Sequence, residues 1–285
     1  VLLTGESGTG KTAVARTLVA NSPRAAGPFV ELNCAAIPEA LFEAEIFGAA
    51  RGAHSMAQAD APGKIQAAHG GTLFLDEVAE LTLASQAKLL QFLQSRTFFR
   101  LGIVEPVVAD VRVIAATNAD LAARVAADAF RNDLMYRLHV MEVRVPALAE
   151  RAEDLPLLTR HFLARSAERN RLPAREAGPD ALHAVTYAAW PGNIRQLEHA
   201  CQAALVRAEA DGAATVTAKH FFPEQAQDAG ARSYQDATRE FQVRLVKEAL
   251  TANDWNVSQA ARQLGLARSH LYNLIQGFGI TRPGA

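Results

Sequence analysis

The stretch Gly5-Glu6-Ser7-Gly8-Thr9-Gly10-Lys11-Thr12 combines glycines, a lysine and a hydroxyl at the spacing that lets a loop hold a triphosphate. Its glycines let successive backbone N–H groups face an anion, and a following helix would add its N-terminal dipole. Lys11 is placed to reach the β- and γ-phosphates, and Thr12 to hold Mg²⁺. The motif follows the apolar run VLL and opens a helical pattern, which is the context it requires. Farther on, GGTLFLDE (70–77) sets an apolar strand before two adjacent carboxylates. Such a pair often marks only a solvated loop. Here it ends a strand, at the edge where open α/β sheets take ligands. Asp76 would then ligate Mg²⁺ through water, and Glu77 would orient and deprotonate the attacking water. The chemistry implied is hydrolysis of a nucleoside triphosphate with Mg²⁺.

Those side chains need a scaffold, and the pattern of residues 1–146 supplies an α/β one. Short apolar runs (VLL, PFVEL, GTLFLD, DVRVIAAT, MEVRV) alternate with PEALFEAEIF and LASQAKLLQFLQ, whose apolar residues recur at helical spacing. Alternation of this kind predicts a parallel sheet covered on both faces by helices. From about Ala147 the strand signals stop. RAEDLPLLTRHFLARSAERN, GPDALHAVTYAAW and PGNIRQLEHACQAALVRAEA read as three helices of a small lid over 147–222. Residues 223–234 carry a polar, aperiodic linker, and helices resume over 235–285. The chain opens inside a strand one step from its candidate site, so upstream residues are expected.

Bulk properties narrow the class. Among 285 residues, 49% are hydrophobic and 21% charged, ordinary for a soluble globular protein. No apolar run reaches the roughly 18–20 residues of a membrane span, so no membrane partner is expected. Cys34 and Cys201 are too few and too far apart for a disulfide framework or a zinc site, which fits a cytoplasmic location. Net charge is −1, yet no acidic residue follows Asp254 while Arg262, Arg268 and Arg282 remain. Such asymmetry suggests a DNA-binding tail on a neutral body.

The tail itself, NVSQAARQLGLARSHLYNLIQGFGI (256–280), reads as helix–turn–helix. Ser258 is expected to cap the first helix, Gly265 to make the turn, and a second helix to start near Ala267. Leu271, Leu274 and Ile275 form a buried stripe. Arg268, Ser269, His270, Tyr272, Asn273 and Gln276 are left for DNA bases and phosphates. An ordinary helical hairpin is the alternative. Residues 235–285 hold six basic side chains (Arg239, Arg244, Lys247, Arg262, Arg268, Arg282) against four acidic (Asp236, Glu240, Glu248, Asp254), a modest +2. Binding of a palindrome by two copies is therefore expected.

With these motifs in place, the chain resembles the sigma-54-dependent enhancer-binding activators, hexameric AAA+ ATPases. FVELNCAAIPEALFEAEIFG, GGTLFLDEVAEL, DVRVIAATNADL, FRNDLMYRLHV and WPGNIRQLE carry the resemblance, in the family's order and spacing. It implies that Asn33 is a switch residue restraining the catalytic glutamate, and that Asn118, with Thr117, is a polar sensor. It implies that Arg131 and Arg137 are arginine fingers reaching a neighbour's γ-phosphate, and that Arg195 closes the lid on nucleotide. Blander roles exist. Arg131 or Arg137 could pair with Asp133, and Asn118 could cap a helix. The resemblance also implies homo-oligomers from dimer to hexameric ring, a Fis-type DNA-binding end that dimerises, and the sigma-54 factor of RNA polymerase as partner.

Two positions depart from the family. Thr12 replaces an acidic residue, which leaves Mg²⁺ binding intact. The sigma-contacting loop, usually Gly-Ala-Phe-Thr-Gly-Ala, here reads Gly52-Ala53-His54-Ser55-Met56-Ala57. Imidazole is more polar than the phenyl ring, and Met56 removes a glycine's freedom. Two functions follow. One is a ring ATPase that remodels sigma-54 polymerase. The other is a nucleotide-controlled DNA-binding regulator that does not contact sigma-54 and acts on another polymerase form or represses.

Overall fold

A computed structural model describes residues 1–52, 60–223, 234–253 and 255–280. Contacts divide the chain into two units, Val1–Phe221 and Phe222–Ala285. In chain order the first unit begins β1 (Leu2–Thr4), α1 (Lys11–Ala20), β2 (Phe29–Asn33), α2 (Glu39–Phe47), β3 (Gly48–Ala49), β4 (Ala61–Pro62), α3 (Lys64–Ala67) and β5 (Thr72–Asp76). It continues α4 (Leu83–Ser95), β6 (Thr97–Phe99), β7 (Pro106–Val108), β8 (Arg112–Thr117), α5 (Leu121–Ala126), α6 (Asn132–Leu138) and β9 (Glu142–Arg144).

The five apolar runs become the central sheet, in the order β2-β5-β8-β1-β9 with every pair parallel. Successive strand residues point to opposite faces. Leu2, Leu73, Leu75 and Ala115 therefore join one core with α2, α4 and α6, while Leu3, Phe74, Ile114 and Ala116 join another under α1. Burial on both faces is why these strands read as continuous apolar runs. Each fully buried side chain such as Phe74 contributes about 1.5–3 kcal/mol of transfer free energy. Register does the rest. Thr4 lies opposite Thr117, and Asn33 opposite Asp76, so the C-terminal ends of β1, β2, β5 and β8 share one edge.

Two hairpins were not expected from the sequence: β3 with β4, and β6 with β7, both antiparallel. Strands of two or three residues are too short to show a period. The first hairpin flanks the 52–57 loop. Of that loop only Gly52 is described; Ala53, His54, Ser55, Met56 and Ala57 lie outside the described residues.

The lid opens with a 3₁₀ run, Leu148–Asp154, and continues α7 (Leu155–Asn170), α8 (Pro179–Tyr187), α9 (Asn193–Ala210) and α10 (Ala218–Phe221). Prolines in the first turns of α7 and α8 suit positions whose N–H has no helical partner. Leu163, Val185, Leu197, Cys201 and Leu205 form the buried interior of this subdomain. Most of residues 223–234, which the sequence reads as a linker, lie outside the described residues.

The second unit holds helices Tyr234–Ala252, Val257–Gln263 and Arg268–Phe278 around Val246, Leu250, Ala260, Ala261 and Leu271. Ser258 is not the cap. Asn256 is: its Oδ1 accepts from the N–H groups of Ser258 and Gln259 at 3.1 and 3.3 Å, and Ser258 lies inside the helix. Both residue types cap well, and the turn at Trp255 (φ 64°) brings Asn256 to the helix entry. Among the described residues no helix is long and apolar enough to cross a membrane.

Candidate functional site

Between β1 and α1 the loop turns back on itself around its lysine. Lys11 is buried, and its Nζ donates to the carbonyls of Gly5 (2.9 Å) and Glu6 (3.1 Å). Thr9 Oγ1 also donates to Glu6 O at 2.9 Å. Gly5 (φ +146°) faces Val145 so closely that a Cβ would stand 2.4 Å from its carbonyl oxygen. Only glycine fits there. Gly10 adopts φ 96° at the N-cap of α1, with no side-chain cap on the helix.

Asp76 and Glu77 face this loop from the end of β5. They line, with Ser7–Thr12, Ile194, Arg195 and Glu198, one cleft of about 180 Å³. Glu77 adopts left-handed backbone (φ 53°, ψ 49°), uncommon for a residue with a Cβ and often found at functional sites. Its N–H donates to Asp76 Oδ1 at 3.1 Å, which orients that carboxylate. Burial lowers the Lys11 pKa below the ordinary lysine value, and the Glu77 and Asp76 charges oppose that shift. The same two carboxylates reinforce burial in pushing the Cys34 thiol up to about 12, so it stays protonated and inert. Both cysteines are buried and free.

Asn33 sits at the end of β2 beside Asp76, and its Oδ1 accepts the Ala35 N–H at 2.9 Å. Thr117 is buried and its Oγ1 accepts the Ala119 N–H. The helix-cap alternative for Asn118 is taken instead by Asp120, whose Oδ1 accepts from Ala122 and Ala123. Asn118 is left exposed. It lines a second cavity of about 540 Å³ next to the first, shared with Glu6, Ser7, Arg195 and His199.

Arg131 and Arg137 are not brought to this cleft. Arg131 pairs with Asp133 through two bonds of 3.0 and 2.7 Å, and Arg137 donates to Leu93 O at 2.9 Å. The Arg131–Asp133 pair is exposed, so it is weak and readily exchanged.

The lid adds residues that the sequence did not single out. Asn193, Ile194 and Glu198 come from α9, and Arg151 from the 3₁₀ run. Asn193 bonds Glu6 and Ser7, Arg151 bonds Thr9, and Arg195 Nη1 donates to Ser7 Oγ at 3.3 Å. Asn193 and Arg151 stand well over a hundred positions from the loop, so no local pattern shows that they reach it. The run WPGNIRQLE, which spans Asn193, Ile194 and Glu198, was the visible signal.

In the second unit, Arg268, Ser269, His270, Tyr272, Asn273 and Gln276 are all exposed on the last helix. Arg268, Tyr272 and Gln276 follow one another at i, i+4 steps, and the Arg268 guanidinium stands 5.7 Å from the Tyr272 ring centre. Leu271 is buried, and Leu274 and Ile275 are half-buried beside it.

Comparison with known proteins matches residues 1–144 to the Sigma-54 interaction domain, 149–238 to the AAA+ ATPase lid domain, and 237–276 to the bacterial regulatory protein, Fis family. The chain is 38% identical over 291 residues to the regulatory protein AtoC of Escherichia coli K12, covering 98% of this chain and 62% of AtoC. It is 42% identical over 277 residues to the transcriptional regulatory protein ZraR of the same organism, with 95% and 62% covered. NtrX from Brucella abortus, solved with ADP, has a TM-score of 0.70 at 35% identity, covering 98% of this chain and 63% of that one. The chain thus spans less than two thirds of the length of these relatives. Sheet, lid and terminal helices are each matched, in the same order along the sequence, and the chain belongs to the sigma-54 interaction family: a Sigma-54 interaction domain with its AAA+ lid, followed by a Fis-type helix–turn–helix.

Proposed function

We propose that the chain hydrolyses ATP, and that a ring of such chains, tethered to DNA by the Fis-type helices, uses the cycle to act on sigma-54 RNA polymerase in the cytoplasm. The observation carrying this reading is the meeting of the phosphate loop, the Asp76–Glu77 pair and the lid's Arg195 around one cleft. Gly5–Thr12 hold the phosphates through backbone N–H groups and Lys11. Thr12 and Asp76 offer hard oxygen donors suited to Mg²⁺, a cation that needs few protein ligands beside phosphate and water. Bound there, Mg²⁺ would neutralise charge on the β- and γ-phosphates. Glu77 accepts the proton of the attacking water. Asn33 restrains Glu77, Asn118 with Thr117 senses the γ-phosphate, and Arg195 closes the lid. Arg131 and Arg137, which point elsewhere in their own subunit, complete the site of a neighbour.

Two copies of the helix–turn–helix would read a palindrome, with Arg268, Ser269, His270, Tyr272, Asn273 and Gln276 toward the groove. Arg268→Ala is expected to weaken operator binding by about 1–3 kcal/mol and relax preference at one base pair. Titration of wild-type and singly substituted operators checks this. Equal weakening on every sequence makes Arg268 a phosphate contact, and no change removes it from the interface.

Family membership supports sigma-54 as the target, while His54, Ser55 and Met56 favour the second reading, a DNA-bound regulator whose nucleotide only sets assembly. Imidazole, being more polar than phenyl, binds an apolar sigma surface less well. The test is sigma-54 capture in the presence of ADP and aluminium fluoride. The parent chain is expected to bind weakly, and the triple change His54→Phe, Ser55→Thr and Met56→Gly to bind better, with ATPase activity equal in both. A stable complex with the parent loop establishes the remodelling reading. No complex with either loop, alongside intact ATPase and DNA binding, leaves the second.

A further inference from the structure

The lid grips the phosphate loop along three consecutive peptide units. Asn193, the first residue of α9, is 1% exposed and held in left-handed backbone (φ 51°). Its Nδ2 donates to Glu6 Oε2 (2.9 Å) and to Ser7 O (3.1 Å), and its Oδ1 accepts the Leu148 N–H (2.7 Å). One amide thus joins the loop, the first residue of the 3₁₀ run and α9. One residue farther along the loop, the Arg195 N–H donates to Gly8 O at 3.3 Å. At the far side Arg151 Nη2 donates to Thr9 O at 2.7 Å. Arg151 breaks the 3₁₀ run to do so (φ −139°, ψ 51°), and its buried Nε has no partner. Gly8 (φ +78°) lies so near Gly192 that a Cβ would stand 2.4 Å from the Gly192 carbonyl oxygen.

Peptide planarity turns this grip into ligand geometry. In a trans peptide the carbonyl and the next N–H point in opposite directions. Fixing the carbonyls of Ser7, Gly8 and Thr9 therefore fixes the N–H groups of Gly8, Thr9 and Gly10, the groups that a bound polyphosphate would use.

We propose that Asn193 and Arg151 are positioning residues of the lid that set the peptide planes of the phosphate loop, and so tie affinity for nucleoside di- and triphosphates to the seating of the lid. This rests on the reading of Gly5–Thr12 as the phosphate loop. Lid and loop then form one receptor. An unseated lid frees the three planes, and the loop loses its shared orientation toward the anion. The effect falls on the bound ground state, so ATP and ADP weaken together while turnover at saturation is spared. That separates these two residues from Glu77, whose loss falls on turnover.

The experiment measures dissociation constants for ADP and ATP, and kcat at saturating ATP, in the whole chain. Arg151→Met keeps the side-chain bulk, removes the bond to Thr9 and also deletes the unpartnered Nε, and a cooperative melt checks that the fold is kept. It is expected to weaken both nucleotides about tenfold, with kcat within about twofold of the parent. Arg151→Lys, which keeps a donor, should recover part of the loss. Asn193→Asp keeps the acceptor for Leu148 but sets a carboxylate against that of Glu6, and should weaken both nucleotides similarly. Adding Glu6→Gln returns a donor to that contact but none to Ser7 O, so only part of the affinity should return. Parent-like constants in a cooperatively melting Arg151→Met chain overturn the proposal, as does a fall in kcat with affinity unchanged. Lys11→Ala is the control, expected to lose both nucleotides. Should it bind like the parent, the phosphate-loop assignment itself has failed, whatever the lid variants do.

Discussion

Glu77→Gln is expected to bind ATP like the parent chain and hydrolyse it about 10²–10⁴-fold more slowly. The amide matches the carboxylate in shape but cannot take a proton from water. Lys11 and the loop carbonyls it holds are untouched, so binding should survive. Lys11→Ala should lose binding as well, because its ammonium straps Gly5 to Glu6 and, on the proposed reading, would contact the phosphates. Measuring nucleotide affinity and steady-state turnover side by side separates the two defects. A Glu77→Gln chain that turns over at the parent rate would remove this carboxylate from the reaction. The strained backbone at Glu77 would then need another explanation.

The second large effect concerns assembly. Within one subunit, Arg131 is engaged with Asp133 and Arg137 with Leu93, and neither lines the nucleotide cleft. If both act on a neighbour, Arg131→Ala subunits and Lys11→Ala subunits are each inactive alone but regain ATPase activity on mixing. Each supplies what the other lacks at a fraction of the interfaces. An arginine at the γ-phosphate can be worth about 10³–10⁵ in rate, so even partial rescue stands far above background. A mixture that stays inactive while sedimenting as a ring would make these arginines structural, with the Asp133 pair as their resting role.

Much of the fold was legible in one dimension. The five apolar runs that read as strands all enter one parallel sheet, because strands buried on both faces carry their apolar character at every position. Three of the lid helices were equally plain, with Pro156 and Pro179 marking first turns, while the four-residue α10 was not read. The two hairpins were missed for lack of length, and the cap at Asn256 was misplaced at Ser258. Two good cap residues stood two positions apart, and only the chain's path through Trp255 chooses between them. As for the site, Lys11, Thr12, Asp76 and Glu77 announce themselves through local spacing.

By itself the sequence determined the order of elements, the kind of anion the first loop suits and the family to which the chain belongs, since each depends on residues close together. Tertiary structure alone decided what stands around that loop. Asn193 and Arg151 reach it across more than 140 residues, and a hydrogen bond between such distant positions leaves no period, spacing or composition to read. The same holds for the left-handed backbone of Glu77 and for the register that sets Asn33 beside Asp76. Propensity and pattern act over a few neighbours, whereas register and domain packing are settled by which distant surfaces bury each other.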